Sequence, residues 1–334
     1  MPVTVSVLIP NFNGAAVLPD CLAGLALQTF RDFEIILVDN GSTDGSGHAA
    51  RRADPQLRLI ELDSNLGFAG ACNYGLRQCR GRFLAVLNND AVPEPGWLAA
   101  LLLAAESGSD VGMVASRVLT DAEPPALDSI GLLPAKNGLV YLRGIGELDR
   151  PDSELPAWEE VFGPSGVAAL YRKAMLDRIG FFDEQYFCYY EDADLAFRAR
   201  WAGWRCLLAN AARVRHRHSA TADAINLPKT YSLHRNRLWT IWRNWPLAAI
   251  FSNFGWIFLY NALTVWRAIL FEGNFHAIKA RVDAVMALGQ QIQWRRSQRP
   301  LRTVAAADIS RWLASDYPGL VETHRRRQAH DQRT

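Results

Sequence analysis

Acidic residues stand directly after two apolar runs of this sequence, and they are its strongest candidates for chemistry. Asp90 lies in the stretch FLAVLNNDAVP, in which residues 83–87 are wholly apolar. A run of this kind is typical of a strand that is buried on both faces of a parallel sheet. Pro93 and Pro95 are expected to end that strand. Since open α/β sheets bind ligands at the carboxyl ends of their strands, we expect Asp90 to face a ligand.

The second acidic group opens a predicted helix after the aromatic run at residues 181–190. It contains Glu191, Asp192 and Asp194. Carboxylates at this position cap free N–H groups and interact favourably with the helix dipole. For Glu191 and Asp194, this structural role explains the acidic side chain at least as well as a catalytic role does. A general base has to be ionised and within hydrogen-bond reach of a hydroxyl. A helix N-terminus would keep such a base ionised, and the adjacent aromatic rings are suited to stacking on a sugar.

Polar side chains also follow the other predicted strands. Strands are predicted at residues 3–9, 33–38, 57–61 and 83–87, with helices between them, so the chain should form an α/β fold with a largely parallel sheet. Asn and Asp are common in turns because they bond their own backbone. Four such clusters on one sheet edge nevertheless predict a polar pocket for a base, a ribose and phosphates. These are Asn11 and Asn13, Asp39 and Asn40, Asn65, and residues 88–90.

Two familiar nucleotide-binding patterns do not explain this pocket. An NAD-binding unit would use Asp39 to hold a ribose, but it requires GxGxxG after the first strand, and this sequence has PNFNG there. No phosphate loop of the form GxxxxGKS or GxxxxGKT occurs in the sequence.

Four sequence blocks resemble, in the expected order, the nucleotide-side blocks of the family 2 inverting glycosyltransferases. They are VLIPNFNG, EIILVDNGSTDGS, NLGFAGACNYGL and FLAVLNNDAVPEPGW. The resemblance covers about residues 3–245 and is greatest to bacterial rhamnosyltransferase-like members. It implies the GT-A fold, a Rossmann-like, largely parallel sheet with a nucleotide-binding half and an acceptor half, followed here by C-terminal amphipathic or apolar helices. The implied activity transfers a sugar from a nucleotide-diphospho-sugar to a saccharide or lipid-linked saccharide in cell-envelope polysaccharide synthesis, with dTDP-rhamnose as one donor.

The resemblance also implies roles for individual residues. Asp90 corresponds to the metal-binding aspartate, with Mg²⁺ or Mn²⁺ as the ion, although the family's two aspartates are reduced to one in Asn88-Asn89-Asp90. His216 is implied as a further metal ligand, Asp192 as the catalytic base, and Glu191 as its supporting acid. The residues assigned to the nucleotide are Pro10, Asn11, Asn13, Asp39, Asn40, Asn65, Gly67, Asn73 and Asn89. Arg235 and Arg237, in the block YSLHRNRL, either contact a diphosphate or acceptor phosphate or belong to a basic helix that faces a membrane.

Charged and aromatic residues are unevenly distributed along the chain. Residues 1–228 contain 20 Lys/Arg and 28 Asp/Glu, whereas residues 229–334 contain 16 and 6. Seven of the eleven Trp lie after residue 228. A basic, Trp-rich region is typical of proteins that bind an anionic membrane surface. Nucleic acid is the other possible partner of a basic region, and a basic, solvated pair of helices would explain the same composition. Of these partners we expect the membrane and no nucleic acid.

Residues 247–266 contain no charged side chain and are long enough to span a bilayer. They also include several polar residues, and basic residues flank both ends. We prefer a helix that lies in the membrane interface with its Trp side chains at headgroup level. A membrane span and a core helix packed on the catalytic domain are the alternatives.

These features divide the chain into three predicted parts. Residues 1–228 form the catalytic domain, residues 229–300 a helical membrane-associating region, and residues 301–334 a basic tail that is disordered at 324–334. The odd number of cysteines and the absence of CxxC predict reduced core thiols. The N-terminus lacks the features of a signal peptide. The expected location is therefore the cytoplasmic face of the inner membrane, as a peripheral protein, or the cytoplasm.

The alternative to an enzyme is a non-catalytic, membrane-associated subunit that keeps this fold and binds a nucleotide sugar. The missing first aspartate supports that alternative, whereas the intact Glu191-Asp192 pair argues against it.

Overall fold

The computed structural model of the chain describes residues 3–218, 229–272 and 275–313. Its described part contains a ten-stranded central sheet and a separate two-stranded hairpin. The strands are β1 Val5–Asn11, β2 Phe33–Asp39, β3 Arg58–Glu61, β4 Phe83–Leu87, β5 Ala91–Pro93, β6 Val111–Thr120, β7 Leu127–Ser129, β8 Leu132–Pro134, β9 Val140–Leu142, β10 Trp158–Val161, β11 Ala168–Arg172 and β12 Arg205–His216.

Helices cover both faces of the sheet and continue beyond it at the C-terminal end. They are α1 Leu18–Ala26, α2 Ser46–Ala53, α3 Gly67–Leu76, α4 Trp97–Glu106, α5 Lys173–Ile179, α6 Glu191–Trp201, α7 Lys229–Asn244, α8 Leu247–Ser252, α9 Phe254–Arg267, α10 His276–Met286, α11 Leu288–Ser297 and α12 Ala306–Ser310.

The strand order brings several strand ends to one edge of the sheet. The main order is β10-β12-β6-β11-β4-β1-β2-β3. Strands β1 to β4 are parallel, and β6 and β12 run in the same direction because β11 lies antiparallel between β4 and β6. In the β1–β2 ladder, Pro10 and Asn11 lie opposite Val38 and Asp39. The carboxyl ends of β1, β2, β4, β6 and β12 therefore share one edge, and β11 begins there.

The core lies on both faces of this sheet, which explains the apolar run at β4. Phe83, Ala85 and Leu87 pack on the side of α1 and α4, whereas Leu84 and Val86 pack on the side of α3, α5 and α6. All five side chains of β4 are buried. The predicted largely parallel sheet and the predicted strand at 83–87 are confirmed.

Irregular strands complete the sheet. β12 is a single strand, because pairing with β6 resumes after a bulge between Ala209 and Arg213. β11 begins at Ala168. Pro93 ends β5 rather than β4, and β5 pairs with β12. The chain turns after Leu87 and then adds this second short strand.

The segment predicted at 247–266 is not one continuous helix. It is interrupted at Asn253, between α8 and α9. In the described parts of the chain, no helix combines the length and the apolar character needed to cross a membrane. Most polar side chains of α9 face the protein, where Asn261 Oδ1 accepts hydrogen bonds from Arg237 (2.7 Å) and Arg281 (3.1 Å). The side chains that α9 turns outward are large and apolar, and each is more than half exposed: Phe254, Trp256, Phe258, Leu263 and Trp266.

Much of the C-terminal region belongs to the folded core. Trp239 of α7 and Trp245, which directly follows α7, are buried in the same core cluster as residues of α5 and α6. In the segment that the sequence assigned to a basic tail, Ile309 is buried and the ring of Trp312 lies 4.4 Å from the Arg200 guanidinium. The predicted disorder at 324–334 lies outside the described residues.

Candidate functional site

A connected network of polar side chains occupies the carboxyl ends of β1, β2 and β4. The Asn11 amide donates to the hydroxyl groups of Ser42 (3.3 Å) and Ser46 (2.9 Å), and its oxygen accepts from the amide of Asn89 (2.9 Å). The N–H of Ser42 donates to Asp39 Oδ1 at 3.1 Å. Three residues that the sequence assigned to the nucleotide, Asn11, Asp39 and Asn89, thus lie together.

The remaining predicted turn residues adjoin this network. The Asn40 amide donates to Asn65 Oδ1 (2.9 Å), which also accepts from the N–H of Gly67 (2.8 Å). Asn13 has a φ of 49°, and its side-chain oxygen accepts from the N–H of Thr43 at 2.9 Å. Side chains from four separate turns therefore line one polar edge, as the sequence predicted. Their contact with a nucleotide stays a prediction.

His216, the last residue of β12, lies between two buried carboxylates. Its Nε2 is 3.3 Å from Asp90 Oδ1, and its Nδ1 is 2.8 Å from Asp128 Oδ2. His218 Nε2 is 3.1 Å from Asp128 Oδ1. A carboxylate that binds one imidazole nitrogen orients the ring so that the other nitrogen faces its ligand. Asp128 is thus positioned to aim Nε2 of His216 at the Asp90 side of the cluster.

The pKa shifts of Asp128 and His216 indicate that this cluster favours positive charge. Burial would raise the pKa of Asp128, but hydrogen bonds from His216 and His218 hold it below its usual value. Burial would lower the pKa of His216, but its bonds to Asp128 and Asp90 raise that pKa to about 10. Ligand atoms of Asp128, His216 and His218 lie within 4.8 Å of one another. The carboxylate oxygens and imidazole nitrogens of this cluster, Asp90 included, are donors that fit a divalent ion, and the nitrogens suit Mn²⁺ better than Mg²⁺.

Asp192 occupies the first turn of α6 and faces the loop that precedes β11. Its Oδ2 accepts from the N–H of Gly166 (3.0 Å), and its Oδ1 from the N–H of Ala193 (2.7 Å). Burial raises the pKa of Asp192, and these two donors offset part of that rise. The helix N-terminus, on which the sequence-based expectation rested, would favour the ionised form. Burial outweighs it, and a raised pKa makes Asp192 a stronger base than an exposed aspartate.

Glu191, the neighbouring carboxyl group, is in a different environment. Its side chain is buried, and no described residue forms a hydrogen bond with its Oε2. Burial and the charge of Asp192 raise the pKa of Glu191 well above its usual value. Two adjacent carboxyl groups with different environments commonly divide acid and base roles. Glu191 is the group more easily kept protonated, which leaves Asp192 as the better candidate for the base.

A strained segment leads into α6, and we call its residues 186–190 the aromatic turn. Phe187, Tyr189 and Tyr190 have φ values of 64°, 70° and 72°. Such a conformation in a residue other than glycine costs about 1–3 kcal/mol and persists only where the surroundings hold it. Gly67 packs directly against the turn, since a Cβ there would lie 2.5 Å from the Phe187 carbonyl oxygen. The start of α3 and the segment before α6 meet at this contact.

A short path connects the turn that carries Asp90 to the loop that contacts Asp192. Ala168, at the start of β11, pairs with Leu87, at the end of β4. The N–H of Asn88 donates to the carbonyl of Val167 at 2.8 Å. Val167 directly follows Gly166, whose N–H is bound by Asp192. Two carboxylates that are far apart in the sequence therefore lie at the same edge of the sheet.

Three other predicted site residues have protein groups as partners. Arg235 donates to the carbonyl oxygen of Gln185 (2.9 Å). Arg237 is buried and donates to the side chain of Asn261. Asn73 donates to the carbonyl oxygen of Phe182 (2.7 Å) and so joins α3 to the segment before α6. Contacts of these three residues with a nucleotide or a phosphate stay predictions.

Asp128 and Ser42 belong to the site but were not predicted from the sequence. Asp128 lies in the three-residue strand β7, within a Gly/Pro-interrupted region that carries no recognisable motif. Only the pairing of β7 with β6 brings it to His216. Ser42 lies inside the block EIILVDNGSTDGS, and its position in that block was the one feature of the sequence that could have indicated a role in the site.

Solved structures with a similar fold define the class of protein. GalNAc-T7 with UDP, GalNAc and Mn²⁺ matches with a TM-score of 0.62 and 13% identity, over 88% of this chain and 57% of that chain. S. aureus TarS, residues 1–349, matches with a TM-score of 0.56 and 17% identity, over 96% of this chain and 91% of that chain. At these identities the likeness concerns the fold, which is that of the GT-A glycosyltransferases.

Sequence comparison then defines the family. The profile described as "Glycosyl transferase family 2" matches residues 6–180. The N-acetylglucosaminyl-diphospho-decaprenol L-rhamnosyltransferase of Mycobacterium tuberculosis is 31% identical over 224 residues, which are 60% of this chain and 73% of the relative. The chain belongs to glycosyl transferase family 2, and it is a glycosyltransferase.

Proposed function

We propose that this protein is an inverting glycosyltransferase that moves a sugar from a nucleotide-diphospho-sugar to a hydroxyl group of a saccharide or lipid-linked saccharide. The observation that carries this proposal is that Asp192 and the Asp90–His216 cluster lie at the same edge of the sheet, linked through the hydrogen bond between Asn88 and Val167. The polar network of Asn11, Asp39 and Asn89 at the same edge is suited to a base and a ribose. The donor and acceptor halves of the reaction thus have separate groups of residues.

Asp192 is the base of the proposed reaction. The acceptor oxygen forms a bond to the anomeric carbon while the bond from that carbon to the diphosphate oxygen breaks. The acceptor's hydroxyl proton passes to Asp192, and the electron pair of the broken bond leaves with the nucleoside diphosphate. Attack on the face opposite the departing diphosphate inverts the anomeric configuration.

Asp90 and His216 are the residues that would hold a divalent ion, with Asp128 behind His216. Such an ion, when bound, stabilises negative charge on a departing diphosphate. Only one carboxylate in Asn88-Asn89-Asp90 is available as a direct ligand. His216 Nε2 supplies a second donor 3.3 Å from Asp90 Oδ1.

The relative from M. tuberculosis indicates a donor and an acceptor to test first. Its name describes an L-rhamnosyltransferase that acts on N-acetylglucosaminyl-diphospho-decaprenol. The experiment incubates this protein with dTDP-rhamnose, UDP-sugars or GDP-sugars, with Mn²⁺ or Mg²⁺, and with a polyprenyl-diphospho-saccharide. Release of free nucleoside diphosphate identifies the donor, and proton NMR of the product identifies the anomeric configuration. A retained configuration would contradict the mechanism. Donor binding without turnover across the panel would favour the alternative, a non-catalytic nucleotide-sugar-binding subunit.

Replacing Asp128 with asparagine is expected to weaken Mn²⁺ binding about 10- to 100-fold, because a neutral amide orients His216 less firmly. Electron paramagnetic resonance of free Mn²⁺ measures this affinity. Asp121→Asn is the matched control, since Asp121 is an exposed carboxylate that pairs with Arg217 (3.4 Å) beyond the end of β6. Equal Mn²⁺ affinity in both variants would contradict the role of Asp128.

Peripheral binding to a membrane that carries a lipid-linked acceptor is the second part of the proposal. Its support is the outward apolar face of α9, formed by side chains that water would otherwise solvate. Exposed basic residues lie at the end of α9 and on or near the helices that follow it: Arg267, Lys279, Arg296 and Arg299. Apolar insertion and attraction to anionic headgroups together are the usual basis of interfacial binding.

Replacing both Trp256 and Phe258 with serine is expected to lower partitioning onto anionic phosphatidylglycerol vesicles at least about tenfold. Burial of each large apolar side chain contributes roughly 1.5–3 kcal/mol. Vesicle flotation measures the bound fraction. Leu103→Ser is the matched control, because Leu103 is equally exposed but lies on α4. Unchanged flotation of the double variant would exclude this face as the membrane contact.

A further inference from the structure

A single buried amide holds the carbonyl groups of the aromatic turn. Asn236 of α7 is fully buried, and its Nδ2 lies 3.0 Å from the Tyr186 carbonyl oxygen, 3.0 Å from that of Cys188 and 2.7 Å from that of Tyr189. One amide nitrogen has two hydrogens, so three acceptors at these distances share its full donor capacity. Asn236 therefore binds the turn through its backbone carbonyl groups.

The opposite side of the amide is held as well. Arg235 Nε donates to Asn236 Oδ1 at 2.9 Å, which orients the amide so that its nitrogen faces the three carbonyls. The same guanidinium donates to the Gln185 carbonyl at 2.9 Å and lies 4.3 Å from the ring of Trp239. Arg235 and Asn236 therefore act together on the backbone at 185–189.

The aromatic turn, which Asn236 binds, has a backbone conformation that contacts from other segments have to stabilise. Phe187, Tyr189 and Tyr190 all have positive φ, a conformation that local preferences do not maintain. Tyr190 is the residue directly before α6, so its backbone sets where the first turn of that helix begins. Asp192 lies in that first turn, two residues later. A change in the backbone at 188–190 therefore moves the carboxylate.

We propose that Asn236 is a positioning residue for Asp192: it holds the aromatic turn in its strained form and thereby fixes the base relative to the acceptor hydroxyl. This inference rests on the proposed function, in which Asp192 is the base. It also assigns to α7, in the predicted membrane-associating region, a direct part in shaping the catalytic centre. Reactions that depend on orientation are sensitive to displacements of about 1 Å.

The test compares Asn236→Ala and the milder Asn236→Ser with the unmodified protein. The expected result is a fall in kcat of about 30- to 100-fold for the alanine variant and a smaller fall for serine. The dissociation constant for the nucleoside diphosphate should change less than threefold, because the polar network around Asn11 is untouched. Hydrogen exchange of the peptide spanning residues 184–192 should become faster, while exchange in β1 and β4 stays unchanged.

Asn244→Ala is the matched control. Asn244 is also a buried asparagine of α7, but its Nδ2 donates to the Asp194 side chain (2.8 Å) rather than to the turn. We expect it to lower the unfolding temperature to a similar extent and to leave kcat within about threefold of the original value.

Two results would overturn the inference. One is an unchanged kcat, per folded molecule, in both Asn236 variants. The other is a fall in kcat matched by Asn244→Ala, or accompanied by faster exchange throughout the domain, since either would indicate general destabilisation. Asp192→Asn separates this inference from the proposed function. If that variant keeps full turnover, the assigned base is wrong and both fall; if it is inactive while the Asn236 variants keep their kcat, the inference fails alone.

Discussion

Asp192→Asn is expected to lower kcat by about three orders of magnitude and to leave nucleoside diphosphate binding nearly unchanged. The amide keeps the size of the side chain and can still accept the hydrogen bond from Gly166, but it cannot take a proton from the acceptor hydroxyl. General base catalysis typically contributes 10²- to 10⁴-fold to a rate. Kinetics with a saturating donor measure the loss of kcat, and calorimetry with the nucleoside diphosphate measures binding.

Glu191→Gln is the control that distinguishes the two adjacent carboxyl groups. Burial favours the protonated form of Glu191, which glutamine resembles in shape and charge, so the loss of kcat should be much smaller. If Glu191→Gln is inactive and Asp192→Asn is active, the two roles are reversed.

The pH profile of kcat offers an independent check on Asp192. Burial raises the pKa of Asp192, so wild-type kcat should fall as pH drops through that raised pKa and the base becomes protonated.

Asp90→Asn is expected to weaken Mn²⁺-dependent donor binding by roughly 100-fold, because it removes the one carboxylate that residues 88–90 would supply to the proposed ion. The fold should be retained, since asparagine fills the same volume at this buried position. Calorimetric titration with the donor, in the presence of Mn²⁺ and in the presence of a chelator, measures the effect. Donor binding that is equally sensitive to the chelator in the variant and in the original protein would contradict the assignment.

A double-mutant cycle sharpens this second prediction. If Asp90 and Asp128 act on the same ion through His216, the effects of Asp90→Asn and Asp128→Asn should not add, because they are coupled through one shared ligand. Additive effects on Mn²⁺ affinity would indicate two independent sites. Asp121→Asn combined with Asp90→Asn serves as the additive reference pair.

The nucleotide half was predictable because its signals are local. The apolar run at 83–87 identified a central strand, and the Asn- and Asp-rich turns after the first, second and fourth strands followed directly from it. Parallel strands place such turns on one edge, so the grouping of Asn11, Asp39 and Asn89 required only the strand pattern.

The acceptor half was less predictable because its contacts join distant segments. Asp128 reaches His216 only after β7 pairs with β6 and β6 with β12. Asn236 was not predicted as a site residue, because an uncharged side chain between Arg235 and Arg237 gives no sign of which backbone groups it binds. The inward orientation of the polar residues in α9 could not be predicted either, because the sequence does not show which face of the helix packs against the protein.

The sequence alone determined the alternating α/β pattern, the polar strand ends and the two acidic groups, because these depend on residue type and on spacing within single segments. The tertiary structure decided which of the two adjacent carboxyl groups is more easily kept protonated, what orients the histidine and what holds the aromatic turn. Those properties depend on burial and on hydrogen bonds between segments far apart in the chain, and such contacts exist only once the sheet and the C-terminal helices have packed together.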